Sequence, residues 1–286
     1  MIKTSEKIFR EISTAVGNYV VGNNKSAMIL NCSGSVDSCL CAAICSEAAE
    51  MTDKLLICVT VLNSKTKKSD YDRGVAIAKS FGDIHFDCNI IDEEKFMMKR
   101  LGVTNEPHHE KRMKDAASRI RMIHIQDLAS RYSGIVIGCR NKTEHDLGYW
   151  TLYGDEGDIF PLTNITKSKV YEIMTDIKNH YKTTKREYLH RKERIICINE
   201  SIKATPRCFD TSTTSSDFEY FNIGTYEDPI DGYKYVDNIL ETYKKVTDNI
   251  NENLEKEYKE MTKFKVVELY ENSIWKRNHP VHLKHN

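Results

Sequence analysis

The chain has 286 residues, which allows one large domain or two small ones at the usual ~150 residues per domain. Hydrophobic residues make up 40% and charged residues 29%, a balance that excludes a disordered, collagen-like or small disulfide-stapled protein. Because 42 basic residues balance 42 acidic ones, the whole chain has no field that would attract nucleic acid or an anionic membrane, and any phosphate recognition must be local.

The sequence predicts a cytoplasmic protein without a membrane partner. Its longest largely apolar run, Leu55–Leu62, is far shorter than the ~20 residues that a membrane-spanning helix needs. The N-terminus is charged throughout and lacks the apolar core of a signal peptide. Nine cysteines, mostly inside apolar stretches and without a Cys-x-x-Cys pair, indicate reduced thiols rather than disulfides or a zinc site.

Short apolar runs alternate with helical patterns along the first half of the chain. The predicted strands are Ala27–Asn31, Leu55–Leu62, Ile84–Ile91 and Ile135–Gly138, and the predicted helices are roughly 37–50, 70–80 and 115–131. This alternation predicts an α/β fold, a doubly wound parallel sheet flanked by helices, which binds its ligands beyond the carboxyl ends of the strands.

The second half of the chain is predicted to be mostly helical. One helix runs from Lys167 to about residue 179, and another covers about 233–258. Between them, the basic stretch 182–194 is either a solvated segment or a contact for phosphate or nucleic acid, and 211–217 is either a mobile active-site loop or a linker. We predict a single domain over 1–286 with a helical C-terminal part at about 233–286.

The first predicted strand runs directly into the loop Cys-Ser-Gly-Ser-Val-Asp-Ser at 32–38, which opens an alanine- and cysteine-rich helix. Small residues at such a turn let backbone N–H groups approach an anion, and a helix N-terminus favours negative charge. Asp37 cannot itself attract phosphate, so its presence makes sense if it holds a divalent cation that bridges phosphate oxygens. The alternative is that Ser33, Asp37 and Ser38 are simply helix caps.

This loop resembles the Ser-Gly-Gly-x-Asp-Ser loop of ATP pyrophosphatases, which split ATP into AMP and pyrophosphate. A later stretch reads Gly-Cys-Arg-Asn-Lys-Thr-Glu at 138–144, Leu-Gly-Tyr-Trp-Thr-Leu-Tyr-Gly-Asp-Glu-Gly-Asp at 147–158 and Phe-Pro-Leu at 160–162, and is followed by Lys167. Its order and spacing resemble those of the ammonia-dependent NAD synthetase family, with one deletion. Weaker matches at 119–122, 203–206, 223–231 and 276–280 extend the resemblance to most of the chain.

The resemblance implies an adenine nucleotide alpha hydrolase-like fold and an ATP-dependent amide ligase with Mg²⁺ as cofactor and ATP as cosubstrate. In the family, the nicotinic acid carboxylate of deamido-NAD attacks the α-phosphate of ATP, pyrophosphate leaves, and ammonia displaces AMP to give NAD. The family also acts as a homodimer, which is the reason to expect one here. Glutamine as nitrogen donor would require a separate glutaminase partner, which the sequence leaves open.

The same resemblance implies roles for individual residues. The implied ATP-binding residues are Ser33, Gly34, Ser35, Asp37, Ser38, Cys139 and Lys167. Asp37 and Glu144 would ligate Mg²⁺, and Lys167 would neutralise charge that develops on the phosphates, so these three are the implied catalytic residues. The implied substrate-binding residues are Asp115, Arg119, Tyr149, Asp158 and Lys276.

Each of these assignments has a structural alternative. Glu144 and Lys167 are also typical of an exposed helix salt bridge, Tyr149 of a core aromatic residue, and Lys276 of a solvated tail lysine.

The sequence also departs from the family pattern, chiefly on the acceptor side. Ser35 replaces a glycine, Cys139 a threonine and Leu152 a lysine, and an aspartate, Asp115, stands where the family has a substrate-side asparagine. These departures leave three alternative functions open: amidation of nicotinic acid mononucleotide or another carboxylate, modification of tRNA, and nucleotide binding without catalysis. We do not expect a nucleic-acid partner.

Overall fold

Four strands form the parallel sheet that the sequence predicts. They are β1 (Ala27–Asn31), β2 (Leu55–Leu62), β3 (Ile84–Asn89) and β4 (Gly134–Ile137). All pairings are parallel, in the order β3-β2-β1-β4. β1 and β4 consist almost entirely of buried apolar residues, as expected of parallel strands covered on both faces. The predicted α/β class is therefore confirmed, with β3 ending slightly earlier than predicted.

The structure is a computed structural model. It describes residues 4–102, 109–204, 221, 223, 226–248 and 265–277. In chain order the helices are α1 (Thr4–Gly22), α2 (Val36–Thr52), α3 (Lys68–Phe81), α4 (Ile91–Arg100), α5 (His109–Arg131), α6 (Lys142–Asp146), α7 (Lys167–Thr183), α8 (Arg191–Lys203), α9 (Pro229–Asp248), α10 (Lys265–Asn272) and α11 (Ile274–Arg277). The helices predicted before residue 180 correspond to α2, α3, α5 and α7. The predicted tail helix corresponds to α9, which begins at Pro229; its continuation to 258 and the predicted loop 211–217 lie outside the described residues.

Helices cover both faces of the sheet. On one face, α5 packs against the strands through an apolar cluster that comprises Ala27, Ile29, Ile57, Val59, Met122, Ile125, Leu128, Ala129 and Val136. Strand residues alternate between the two faces, so Met28, Leu30 and Cys58 point to the other side. There α2 contacts β1 and β2, and α3 contacts β2. The carboxyl ends of the strands are thereby left for the loops that carry the predicted phosphate site.

The chain divides into two compact units. Unit 1 comprises Met1–Arg140, Thr151–Leu162 and Glu172–Ala204 and contains the whole sheet; unit 2 comprises Asn141–Trp150, Thr163–Tyr171 and Thr205–Asn286. The regular elements of unit 2 in its described part are helices, and its buried aromatic residues include Tyr171 and Tyr233, whose rings stack with centroids 6.0 Å apart. The helical C-terminal part of the chain therefore follows the expectation, while the description as one domain stays a prediction.

The described cysteines are all free, in agreement with the predicted absence of disulfides in that part of the chain. Most of them are buried, and burial raises the pKa of Cys39 and Cys45 well above that of a solvated thiol. Protonated, enclosed thiols behave as small hydrophobic side chains. No described helix is at once long enough and apolar enough to cross a membrane.

Candidate functional site

The loop after β1 turns sharply at Gly34. Its φ of +85° lies in the left-handed region that favours glycine. A Cβ atom at this position would also collide with the backbone of Asp70 and lie 3.2 Å from the backbone nitrogen of Gly74, both in α3. From the same helix, Arg73 Nε donates a hydrogen bond to the Gly34 carbonyl oxygen at 3.1 Å. Close backbone packing against α3 therefore fixes the shape of this loop.

Three loop serines bring their hydroxyl groups together at the N-terminus of α2. Ser33 Oγ lies 3.0 Å from Ser35 Oγ and 3.3 Å from Ser38 Oγ. Ser35 is the N-cap of α2: its φ is −79°, and its side chain accepts a hydrogen bond from the backbone nitrogen of Ser38 at 3.3 Å. Ser35 stands where the family has a second glycine, and its backbone conformation is one that any residue can adopt. Because helix N-termini favour anions, this arrangement suits a phosphate group.

Asp37 and Cys139 lie on neighbouring parts of unit 1. Asp37 is in the first turn of α2 and is 3% exposed. Cys139 follows β4, which is the neighbour of β1 in the sheet. A hydrogen bond with Cys139, together with burial, raises the pKa of Cys41 in α2, so the loop after β4 lies beside this helix. The chain order of the strands reverses between β1 and β4, and open α/β sheets bind ligands at such a point.

Sequence reasoning missed Arg73 and Gly74, which hold the loop in place from α3. A Cβ atom at Gly74 would collide with the Cys32 carbonyl oxygen and lie 3.4 Å from the Gly34 nitrogen. A signal was present, because a glycine inside a helical pattern costs helix stability and commonly marks close backbone approach. What that glycine approaches is far away in the sequence.

The predicted acceptor residues of unit 1 connect α5 and β4 to the segment after Trp150. Asp115 accepts a hydrogen bond from Thr151 Oγ1 at 3.0 Å, and Arg119 Nε donates to the Leu152 carbonyl oxygen at 3.2 Å. These two contacts hold residues 151–152 against α5. Recognition of an acceptor by Asp115 and Arg119 stays a prediction.

Asp158, the third acceptor residue of unit 1, is engaged with the sheet. Its Oδ2 accepts from the Val136 backbone nitrogen at 2.7 Å, and its own nitrogen donates to the Val136 carbonyl oxygen at 2.8 Å. Two residues beyond Arg119 along α5, Arg121 forms an ion pair with Asp155, a contact that the sequence did not indicate. The segment 151–158 is thereby fixed on unit 1 by side chains at both of its ends.

Glu144 and Lys167 form an ion pair in unit 2. Lys167 Nζ lies 3.4 Å from Glu144 Oε1 and 5.7 Å from the centre of the Tyr233 ring. Glu144 also takes part in a capping box with Asn141, whose side chain accepts from the Glu144 nitrogen at 2.9 Å. Lys167 is 2% exposed, so this is not the exposed salt bridge that was the alternative for the pair. An ammonium group held in a buried site is well suited to stabilise phosphate charge.

Lys276 lies across the turn that contains Tyr149 and Trp150, also in unit 2. Its Nζ donates to the carbonyl oxygens of Gly148, at 2.7 Å, and of Trp150, and lies 4.7 Å from the centre of the Trp150 ring. His145 stacks on the same ring with centroids 5.4 Å apart. Lys276 is thus not a solvated tail lysine. Tyr149 is 37% exposed, so the alternative of a core aromatic residue fits Trp150 better than Tyr149.

A second charged cluster of unit 2 lies at the end of α6. Asp146 Oδ2 is 2.7 Å from both Lys142 Nζ and Lys244 Nζ. Burial alone would raise the pKa of Asp146, but the two ammonium groups outweigh it and hold this pKa below its ordinary value. The cluster therefore links α6 to α9 through a carboxylate that stays charged at neutral pH.

Two arginines of the basic stretch 182–194 are engaged within unit 1. Arg186 pairs with Glu47 at 2.7 Å and with Glu50 at 2.6 Å, both on α2. Arg194 is buried and donates from Nε to the Ser80 carbonyl oxygen at 3.0 Å. Arg186 and Arg194 thus contact the protein itself, which weakens the support that this stretch gives to an RNA substrate.

The structure groups the predicted site residues by unit. Unit 1 contains Ser33, Gly34, Ser35, Asp37, Ser38, Asp115, Arg119, Cys139 and Asp158, and unit 2 contains Glu144, Tyr149, Lys167 and Lys276. Within the described ranges, no group of three or more His, Cys, Asp or Glu side chains gathers as a metal site. Mg²⁺ commonly takes one or two carboxylates and completes its shell with phosphate oxygens and water, so carboxylates such as Asp37 and Glu144 fit this ion.

Curated proteins similar to this chain are ammonia-dependent NAD synthetases. The NH(3)-dependent NAD(+) synthetase of Thermoplasma volcanium is 34% identical over 146 residues, which cover 51% of this chain and 58% of that protein. That of Sulfolobus acidocaldarius is 32% identical over 158 residues, which cover 54% of each. The matched region thus spans little more than half the length of these relatives.

Solved structures share the fold over almost the whole chain. NMN synthetase from Francisella tularensis superposes with a TM-score of 0.71 at 18% identity and covers 99% of both chains. An NH3-dependent NAD synthetase from Campylobacter jejuni gives a TM-score of 0.64 at 18% identity and covers 99% of this chain and all of that one. A family model described as NAD synthase matches residues 8–280. The resemblance predicted from the sequence is confirmed, and the chain belongs to the NAD synthase family.

Proposed function

We propose that this chain is an ATP-dependent amide ligase that converts deamido-NAD and ammonia to NAD. The observation that carries the proposal is the Ser33–Ser38 loop, which gathers serine hydroxyls at the N-terminus of a buried helix in a member of the NAD synthase family. Such a loop holds phosphate groups through backbone N–H donors and the helix dipole. The similar curated proteins are named as ammonia-dependent NAD synthetases, which supports the same reaction here.

The proposed reaction has two steps. A carboxylate oxygen of the nicotinic acid group attacks the α-phosphorus of ATP, the bond from that phosphorus to the bridging oxygen breaks, and pyrophosphate leaves. Ammonia then attacks the carboxyl carbon of the adenylated intermediate. AMP leaves with the former carboxylate oxygen, and the nitrogen loses a proton to give the amide. Both steps depend on orientation and on stabilising charge at phosphate oxygens.

The residues of the chain would divide this work. Ser33, Ser35 and Ser38 would hold the departing pyrophosphate with the N–H groups at the start of α2. Lys167 would place its buried positive charge on phosphate oxygens, where a low local dielectric strengthens the attraction. Glu144 Oε1 lies 3.4 Å from this ammonium and neutralises it. We propose that nucleotide binding takes over this neutralising role and releases Glu144.

Asp37 and Glu144 are the residues that we propose as Mg²⁺ ligands. Both offer hard carboxylate oxygens, and Asp37 belongs to the phosphate loop itself. When bound, Mg²⁺ would neutralise charge on the phosphate oxygens. The carboxylates of the chain would then contribute by fixing where the triphosphate lies.

The acceptor is the least constrained part of the proposal, and nicotinic acid mononucleotide is the second candidate. Asp158, assigned to the dinucleotide by resemblance, has its carboxylate engaged by the Val136 backbone, and Arg119 is engaged by the Leu152 carbonyl oxygen. A smaller acceptor would require fewer of these side chains. The Francisella tularensis protein of the same fold is named as an NMN synthetase, which adds to this alternative.

Further parts of the proposal rest on the family resemblance and on composition. We propose free ammonia as the nitrogen donor and a homodimer as the active form, to be tested by light scattering coupled to size-exclusion chromatography. The cytoplasm is the proposed location, because the described cysteines are free thiols, as expected in a reducing compartment. A glutaminase partner chain would be revealed if its addition to the purified protein allowed turnover with glutamine as the nitrogen donor.

The test is release of AMP and pyrophosphate by the purified protein with Mg-ATP and ammonium, and with deamido-NAD, nicotinic acid mononucleotide or no acceptor. Turnover that depends on deamido-NAD and yields NAD would support the first proposal. Turnover that depends on the mononucleotide would transfer the same chemistry to the smaller acceptor. No turnover with either acceptor would refute both.

Two variants test the assigned residues. Asp37→Asn and Glu144→Gln keep side-chain shape but remove the charge that a metal needs, and each should lower kcat by ~10²-fold or more. The matched control is Asp92→Asn, because the Asp92 side chain is 93% exposed and lies on α4, outside the proposed site. If both site variants turn over ATP like the control, the assignment of Asp37 and Glu144 is wrong.

A further inference from the structure

Asp237, on α9, connects the segments that carry Glu144 and Lys167. Its carboxylate accepts hydrogen bonds from Thr143 Oγ1 and from both the nitrogen and the Oγ of Ser168, the latter two at 3.2 and 2.5 Å. Thr143 precedes Glu144 in the chain, and Ser168 follows Lys167. Asp237 is therefore bonded to the immediate neighbours of both members of the ion pair.

Thr143 closes this network. Its Oγ1 donates to Asp237 and at the same time accepts a hydrogen bond from the Lys167 backbone nitrogen at 2.9 Å. Thr143 is 1% exposed and Ser168 is buried, so solvent does not compete for these bonds. Burial raises the pKa of Asp237, while the bonds from Ser168 and Thr143 lower it. The starts of α6 and α7 are thus fixed to one carboxylate.

Two further contacts come from the same face of α9. Tyr233 lies under the Lys167 ammonium, with 5.7 Å from Nζ to the ring centre, and Lys244 pairs with Asp146 at the end of α6. Positions 233, 237 and 244 fall on one side of a helix with 3.6 residues per turn. α9 therefore contacts the surroundings of the ion pair at three places. Tyr233 lies against the Lys167 ammonium, Asp237 accepts from the backbone beside Lys167, and Lys244 pairs with the end of α6.

We propose that Asp237 is a positioning residue of the ligase reaction, which acts through Thr143 and Ser168 to hold Glu144, in the first turn of α6, and Lys167, at the start of α7, where catalysis needs them. This inference rests on the proposed function. A displacement of about 1 Å in a catalytic group can cost up to ~10²-fold in rate, so a buried network that fixes both groups has a direct effect on turnover. Neither Asp237 nor its bonded partners Thr143 and Ser168 were assigned a role from the sequence.

Thr143 is the best place to test the network, because valine has the same shape without the hydroxyl group. Thr143→Val should lower kcat by ~10-fold or more and change the KM for ATP and for the acceptor by less than ~2-fold. Thr143→Ser restores a hydroxyl and should recover most of the rate. Asp237→Asn keeps one acceptor oxygen and loses the charge, so its kcat should fall between those of wild type and Thr143→Val.

A double-mutant cycle separates positioning from general loss of structure. If Thr143 acts through the Glu144–Lys167 pair, adding Thr143→Val to Glu144→Gln should lower kcat by a clearly smaller factor than it does in the wild type. The matched control is Thr52→Val in α2, which also removes a threonine hydroxyl that donates to a carbonyl oxygen, that of Ala48 at 2.7 Å. This control should lose stability without a change in kcat.

Hydrogen exchange tests the same network without turnover. In Thr143→Val the Lys167 amide loses its acceptor and should exchange faster than in wild type, whereas Thr52→Val should leave it unchanged. The positioning role is overturned if kcat in Thr143→Val stays within ~2-fold of wild type, or if its effect multiplies with that of Glu144→Gln. If the wild type itself shows no ligase activity, the proposed function fails, and unchanged Lys167 exchange in Thr143→Val would separately overturn the network.

Discussion

Replacing single glycines by alanine separates the two constraints on the phosphate loop. Gly34 combines a φ of +85° with a Cβ position that would collide with the Asp70 backbone. Gly74 has the crowding, against the Cys32 carbonyl oxygen, without a left-handed φ. Gly102 has a left-handed φ of +59° and no atom within 4 Å of its Cβ position. Gly34→Ala therefore tests backbone strain together with crowding, Gly74→Ala tests crowding alone, and Gly102→Ala tests backbone strain alone.

The expected losses of unfolding free energy follow from these features. A left-handed backbone costs an L-residue ~1–2 kcal/mol, which is the expectation for Gly102→Ala. Extra atoms in a packed region cost ~1–3 kcal/mol, but alanine regains about 1 kcal/mol inside a helix, so Gly74→Ala should lose ~0–2 kcal/mol. Gly34→Ala carries strain and crowding together and should lose ~2–5 kcal/mol.

The assay is urea unfolding of each variant, followed by the KM for ATP at a temperature where all of them are folded. Gly34→Ala and Gly74→Ala should raise the KM for ATP because both move the loop, and Gly102→Ala should leave it unchanged. The reasoning would be refuted if Gly34→Ala were no less stable than Gly102→Ala. It would equally fail if folded Gly34→Ala and Gly74→Ala bound ATP like the wild type.

Three further changes test other parts of the structure. Lys167→Met should lower kcat by ~10²-fold or more, because it removes a buried positive charge from the proposed phosphate site; a pyrophosphate-release assay that shows wild-type kcat would contradict this. Arg194→Met should reduce the unfolding free energy by ~1–3 kcal/mol, since buried acceptors lose their donors, and should leave kcat unchanged, as urea unfolding and the same assay would show. Asp146→Asn tests pH dependence: the folded pKa of Asp146 lies below its unfolded value, so its contribution is present at neutral pH and disappears as pH falls through that folded pKa. The stability difference between wild type and Asp146→Asn should therefore shrink in urea unfolding between pH 6 and about pH 3, and a constant difference would contradict the assigned shift.

The strands and the strand-to-helix turn at 32–38 could be predicted because their signals are local. A run of apolar residues followed by small residues and a helix pattern specifies strand, turn and helix within one short stretch. The predicted bounds of β1 and β2 accordingly agree with the structure. The cap itself was predicted less well: the N-cap is Ser35 and not one of the candidates Ser33, Asp37 and Ser38, although its bonding partner Ser38 lies within the same turn.

Contacts between distant segments could not be read in the same way. The basic stretch 182–194 left two interpretations open because the acids that neutralise Arg186, Glu47 and Glu50, are on a helix far away in the sequence. Asp237 was equally invisible, since its partners Thr143 and Ser168 lie well before it in the chain. A single sequence gives the charge of such residues, but the pairing of opposite charges depends on how the helices pack.

The Glu144–Lys167 pair gives a physical reason why nucleotide binding at the proposed site would depend on Mg²⁺. A buried ammonium without a counter-charge is costly, so Lys167 needs an anion, and Glu144 supplies it at 3.4 Å. When a triphosphate replaces that anion, the Glu144 carboxylate would face phosphate oxygens of the same sign. A divalent cation between them removes this repulsion, so nucleotide and metal would each strengthen the binding of the other. One carboxylate can thus stabilise the buried Lys167 ammonium and, in the proposed reaction, make nucleotide binding dependent on Mg²⁺.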